Sequence, residues 1–222
     1  MELKGKIIDF LGDSITEGHG LTSNFNRYDR YIERTCGLKK ANNYGIGGTR
    51  IAYQRHPSDK ARYDLDFCGR CWNMDPSADI IVVYGGTNDY GHGDAPFGEV
   101  GDKDRTTFCG SVDHLIRTIK ELYPSAGLVM VTPAHRSDDG TNPPEEKMTK
   151  HNIVGRRLEE YADAIVKIAS IHGVPSLNLL EKLDIDPKKP EDCEKYTFDG
   201  LHFNDEGHIA LAKCIIEFLK SL

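Results

Sequence analysis

The chain has 222 residues, 38% of them hydrophobic and 28% charged, a balance that excludes disordered and fibrous classes. Its 28 basic against 35 acidic residues give a formal charge of -7 with no lysine- or arginine-rich tract, so no nucleic acid partner is expected. Apolar runs fall far short of the ~20 residues that span a bilayer, so no membrane association is expected.

Short apolar runs bounded by turn residues alternate with segments of helical period, which predicts an α/β chain with a parallel sheet and helices on both faces. Residues 6–11 read as the first strand, 28–36 as a short helix ended by Gly37, and 42–44 as a brief second strand. Residues 79–84 carry the strongest strand signal, β-branched and nearly all apolar, hence buried on both faces. A helix from about Thr107 lines up Val112, Leu115, Ile116, Ile119 and Leu122 and stops at Tyr123-Pro124. Residues 128–131 form a fourth buried strand. Pro143-Pro144 leads into what reads as the longest helix, with a stripe from Val154 through Leu158, Ile165 and Ala169, stopped by Gly173 and Pro175. Residues 176–180 read as the fifth strand, and Asn204 caps a final helix packed through Ile209, Ala212, Ile215, Ile216 and Leu219. With no repeat or linker, one domain over residues 1–222 is expected. The segments 45–76 and 180–197 lack regular pattern and are long for connections, a mark of loops that frame a pocket.

Six cysteines are present, and only Cys68-Gly69-Arg70-Cys71 places two close together. The pair lies in a polar stretch with no strand before it and has no second half-site. Reduced cysteines on a long loop are therefore expected, rather than a redox or zinc motif. The N-terminus shows no basic region followed by an apolar core and cleavage site, so the expectation is a cytoplasmic protein; removal of an export signal would reverse it.

In an open parallel sheet, ligands bind beyond the carboxyl ends of the strands. Polar clusters fall there one after another: Ser14 after the first strand, Gly45-Ile46-Gly47-Gly48 after the second, and Gly85-Gly86-Thr87-Asn88-Asp89 after the third. Thr132 to Arg136 follows the fourth, and Asp199 and His202 follow the fifth. A serine hydroxyl becomes a nucleophile when a base takes its proton, and imidazole suits that task near neutral pH. His202 is the candidate base, and Asp199, three residues earlier, would fix its tautomer. The oxyanion needs donors, for which the backbone N–H groups of Ser14 and Gly48 and the amide of Asn88 are placed. Taken singly, each has a structural reading: Gly-Asp-Ser as a turn, Asn88 in an Asx-turn, Asp199 as a helix cap. It is their joint order at successive strand ends that points to catalysis.

Gly12-Asp13-Ser14-Ile15-Thr16-Glu17-Gly18 resembles the first block of the SGNH (GDSL) hydrolase superfamily. Asn43 to Gly48 is similar to its second block, Gly85 to Asp89 to its third, and Asp199-Gly200-Leu201-His202 to its fifth. The resemblance implies a three-layer α/β/α, flavodoxin-like sandwich with a five-stranded parallel sheet. It also implies a catalytic triad of Ser14, Asp199 and His202, an oxyanion hole of Ser14, Gly48 and Asn88, and chemistry that needs no metal or cofactor.

Polar and aromatic residues near the blocks (Asn24, Asn26, Arg27, Tyr28, Trp72, Tyr90, His135, Arg136) suit a sugar better than a long acyl chain. The expected substrate is therefore a short-chain, acetyl-type ester of a small molecule or oligosaccharide. A lysophospholipase or acyl thioesterase, and a silent carbohydrate-binding module, are the alternatives. His19 and His92 lie beside the blocks without metal-ligand spacing.

Overall fold

The computed structural model describes residues 1–138 and 153–222. Five parallel strands, β1 (Ile7–Gly12), β2 (Lys40–Gly45), β3 (Ile80–Tyr84), β4 (Gly127–Val131) and β5 (Ser176–Leu177), form one sheet in the order β2-β1-β3-β4-β5. Ile8 aligns with Ala41 on one side and Ile80 on the other, and Ile80 with Gly127. This is the flavodoxin-like order, with helices on both faces as anticipated.

Alternation along the strands builds two cores. Ile7, Leu11, Ile81, Val83, Leu128 and Met130 turn to one face, under α5 (Phe108–Leu122) and α6 (Leu158–Ile171). Ile8, Phe10, Ile80, Val82, Val129 and Val131 turn to the other, under α2 (Tyr28–Cys36) and α9 (Asp205–Ser221). Each buried aliphatic side chain contributes roughly 1.5–3 kcal/mol, so apolar runs read as strands with two hidden faces are the main source of stability. Short helices α1 (Ser14–Glu17), α3 (Phe67–Arg70), α4 (Thr87–His92), α7 (Leu179–Lys182) and α8 (Pro190–Tyr196) fill the connections.

Four expectations need correction. The apolar stripe was expected to begin at Val154, but α6 starts at Leu158. Gly155 has φ +73°, outside the helical region. The Glu160 carboxylate accepts the Arg157 N–H, closing the first turn. The longest helix among the described residues is α9, and Pro143-Pro144 lies outside them. The fifth strand ends at Leu177 because the Asn178 side chain accepts the Leu180 N–H and opens α7. Cys68 and Cys71 are free, as expected, but belong to α3 and its C-cap inside a core, not to an open loop. Burial pushes both thiols up, which disfavours the reactive thiolate. Among the described residues no helix is long and apolar enough to cross a membrane.

Candidate active site

β1 delivers Gly12-Asp13-Ser14 to the carboxyl edge of the sheet. The Asp13 carboxylate accepts the Ile15 N–H at 3.0 Å and caps α1, which fixes Ser14 at the first helical position. Burial pushes the Asp13 carboxyl up to about 7, against the Ile15 N–H and the Arg70 charge. Ser14 is nearly covered by its surroundings.

Ser14 Oγ lies 2.9 Å from His202 Nε2, and His202 Nδ1 lies 2.7 Å from Asp199 Oδ2. The other carboxylate oxygen, Oδ1, accepts the backbone N–H groups of His202 at 2.7 Å and Leu201 at 3.0 Å. Burial would raise the Asp199 pKa, but those donors and the imidazole outweigh it and hold the carboxyl below its usual range. An ionised carboxylate only accepts, so the proton of neutral His202 sits on Nδ1 and its Nε2 faces the Ser14 hydroxyl as acceptor. The fold thus brings Ser14, His202 and Asp199 into one line.

After β2 the chain turns at Gly45, where a Cβ would stand 2.2 Å from the Glu17 backbone nitrogen. Glu17 holds this loop, its carboxylate accepting the Gly47 N–H at 2.8 Å. Gly48 has φ +78°, and a Cβ there would penetrate the Tyr63 ring at 2.2 Å, so glycine is required on both counts.

Asn88 enters from α4, beyond β3. Its Nδ2 donates to the Thr49 carbonyl at 2.9 Å, and its Oδ1 is 3.2 Å from His92 Nε2. Arg50 Nη1 donates to His92 Nδ1 at 2.9 Å, which places the imidazole proton on Nε2 and orients the Asn88 amide with its NH₂ toward Thr49 and the cleft. Arg50 is anchored by Asp64 at 2.9 Å.

Ser14, Gly47, Gly48, Asn88, Arg136 and His202 all line one cleft of about 410 Å³. Asp199 stands behind His202. Sequence reasoning missed part of the lining: Lys60, Arg62 and Tyr63, from the 45–76 segment, line the cleft together with Glu17, His19, Gly91, His92 and Leu201. The only signal for them was the length of that segment. The 180–197 segment does not line the cleft. The aromatic platform expected from Tyr28 and Tyr90 is corrected, since both are buried in the core. Trp72 is 62% exposed but lies outside the cleft lining, and His135 bonds the Leu180 carbonyl. Among the described residues no cluster of metal-ligating side chains occurs.

No curated protein matches this chain. A solved structure 31% identical covers 100% of this chain and 99% of its own, with a TM-score of 0.84. A protein from Lactobacillus plantarum is 29% identical over 98% of each chain, with a TM-score of 0.81. A carbohydrate acetylesterase family member from Sinorhizobium meliloti shares the fold at 16% identity and a TM-score of 0.64, covering 97% of this chain and 98% of its own. The family model of GDSL-like lipases and acylhydrolases matches residues 10–210, so the chain belongs to the GDSL-like lipase/acylhydrolase family.

Proposed function

We propose that the protein is a serine esterase that hydrolyses short-chain, acetyl-sized esters of a carbohydrate alcohol through an acyl-enzyme. The observation that carries this reading is the Ser14–His202–Asp199 line, with contacts of 2.9 and 2.7 Å. Ser14 Oγ attacks the ester carbonyl as His202 Nε2 takes its proton. The tetrahedral oxyanion accepts from the Ser14 and Gly48 N–H groups and from the Asn88 N–H left over after Thr49. Such donors each lower the barrier by ~3 kcal/mol. Among the described residues no acceptor takes the Gly48 N–H, whereas that of Gly47 is occupied by Glu17. Collapse expels the alkoxide, which takes the proton from His202. A water molecule activated by the same imidazole then attacks the acyl-Ser14 carbonyl, and the acid leaves.

The short acyl group is favoured by a cleft lined mostly by residues with charged or polar side chains, with Leu201 and Tyr63 among the few that offer an apolar face. Planar hydrogen-bonding groups beside an aromatic face suit a sugar, and that face is offered by Tyr63 and not by the buried Tyr28 and Tyr90. The Ser14→Ala variant is expected to fold normally and to lose hydrolysis of aryl acetates. Across acyl chains of two, four, eight and twelve carbons the wild type should favour the shortest. Full activity in Ser14→Ala would refute the nucleophile, and a preference for long chains would move the reading to a lysophospholipase or thioesterase.

A further inference from the structure

The cleft is cationic in an acidic protein. Lys60, Arg62 and Arg136 line it against a single carboxylate, Glu17, while the whole chain carries -7. Two of these cations have partners. Arg62 donates to Glu17 at 2.6 Å, and the Lys60 ammonium reaches the Tyr63 hydroxyl at 3.3 Å.

Arg136 is held differently. Its Nη1 donates to the Thr87 carbonyl at 3.3 Å and to the Thr87 hydroxyl at 3.1 Å. The guanidinium lies 5.3 Å from the centroid of the Tyr90 ring, and its Nε is buried with no acceptor. The other largely buried guanidinium groups hold more partners: Arg27 grips Asp29 at 2.6 and 2.9 Å, Arg50 meets Asp64 although its Nε is likewise buried without an acceptor, and Arg70 donates to four oxygens. Among the described residues no carboxylate makes an ion pair with Arg136. A guanidinium that lines the cleft, is hydrogen-bonded among the described residues only to Thr87 and has no carboxylate partner there is suited to an anion supplied from outside.

Its position says which part of a substrate it meets. The Ser137 N–H donates to the Gly200 carbonyl at 2.8 Å, which ties the Arg136 segment to the Asp199–His202 loop. The leaving oxygen takes its proton from His202, so the alcohol portion of an ester lies on this side.

We propose that Arg136 binds a carboxylate on the alcohol portion of the substrate, so that the preferred ester is an acylated hydroxy acid, an acidic sugar in particular. This rests on the ester-hydrolase reading above. A carboxylate suits the guanidinium of Arg136, and Lys60 and Arg62, which line the same cleft, help steer the anion into it.

The test compares 4-acetoxybenzoate with methyl 4-acetoxybenzoate, esters alike except for the anion. The neutral ester has the better leaving group, so a preference for the anion cannot arise from intrinsic reactivity. The wild type should favour 4-acetoxybenzoate in kcat/KM, mainly through KM, and the preference should shrink with added salt. In Arg136→Gln the ratio of the two kcat/KM values should fall by ~10- to 100-fold, as expected for one charge-assisted hydrogen-bonded pair, with partial recovery in Arg136→Lys. A wild type indifferent to the anion overturns the proposal. So does an Arg136→Gln variant that slows both esters equally, which is the mark of a structural role. If neither ester is hydrolysed, it is the esterase reading that fails. Calorimetric binding of 4-hydroxybenzoate to wild type and Arg136→Gln then decides on the anion site alone: binding lost in the variant supports it, and equal or absent binding overturns it.

Discussion

Each nitrogen of His202 has one partner, and the two partners set opposite roles for it: Asp199 fixes the proton on Nδ1, and Ser14 meets the lone pair on Nε2. Burial pushes the imidazole down, the Asp199 bond and charge pull it back, and His19 and Arg136 add to the lowering, so it titrates below its ordinary value of 6.5. The base is active when neutral, so kcat/KM should hold down to that value and fall along an acidic limb centred below it. Asp199→Asn removes the support of the imidazolium and frees the wrong tautomer. It should cost on the order of 10⁴-fold in kcat and move the limb further down. A profile flat through the imidazole range, or an Asp199→Asn variant close to wild type, would contradict this assignment. The convergence of these residues was legible in the sequence because the triad and oxyanion candidates sit in short peptide blocks whose neighbours in the chain set their geometry. Arg50 and His92, which orient Asn88, and Lys60, Arg62 and Tyr63 were not legible: they reach the site through side-chain packing of a long connection, without periodicity.

At the scale of elements, reading was accurate where apolar period and caps agreed. Helix α2 has its expected bounds, Thr107 caps α5, and Asn204 caps α9. It failed where one residue overrode an apolar run: Asn178 ended β5, and Gly155 delayed α6. Helix α9 also carries a buried group that the sequence reading passed over. His208 is fully buried, its Nδ1 accepting the Tyr28 N–H at 3.3 Å while Nε2 finds no partner. Burial pushes it down to about 4, with Asp29 opposing and Arg27 adding. The folded state therefore resists a proton that the unfolded chain accepts. Stability is complete above about pH 6.5 and falls as pH drops toward 4, by roughly 3 kcal/mol from this group. His208→Asn keeps an acceptor for Tyr28 and cannot be protonated. Its urea midpoint should lose much less than that of the wild type between pH 6.5 and 4; equal losses would remove His208 as a source of acid lability.

At the scale of the molecule, the strand order explains why one edge collects the chemistry. β1 lies between β2 and β3, so the loop carrying Ser14 is flanked by the loops carrying Gly48 and Asn88. The candidate oxyanion donors thus close on Ser14 from both sides. Arg136 follows β4, and His202 comes back over the same edge after β5 from 188 residues away in the chain. The fold expected from the alternation of strands and helices, and from the block resemblance, is the fold observed. The central claim is that this edge activates Ser14. It is tested most directly by treating the protein with an aryl alkylphosphonate and locating the adduct by mass spectrometry. One phosphonyl group on Ser14, absent in Ser14→Ala and slowed in Asp199→Asn, is the expected result. No adduct on wild type, or equal labelling of Ser14→Ala, would contradict it.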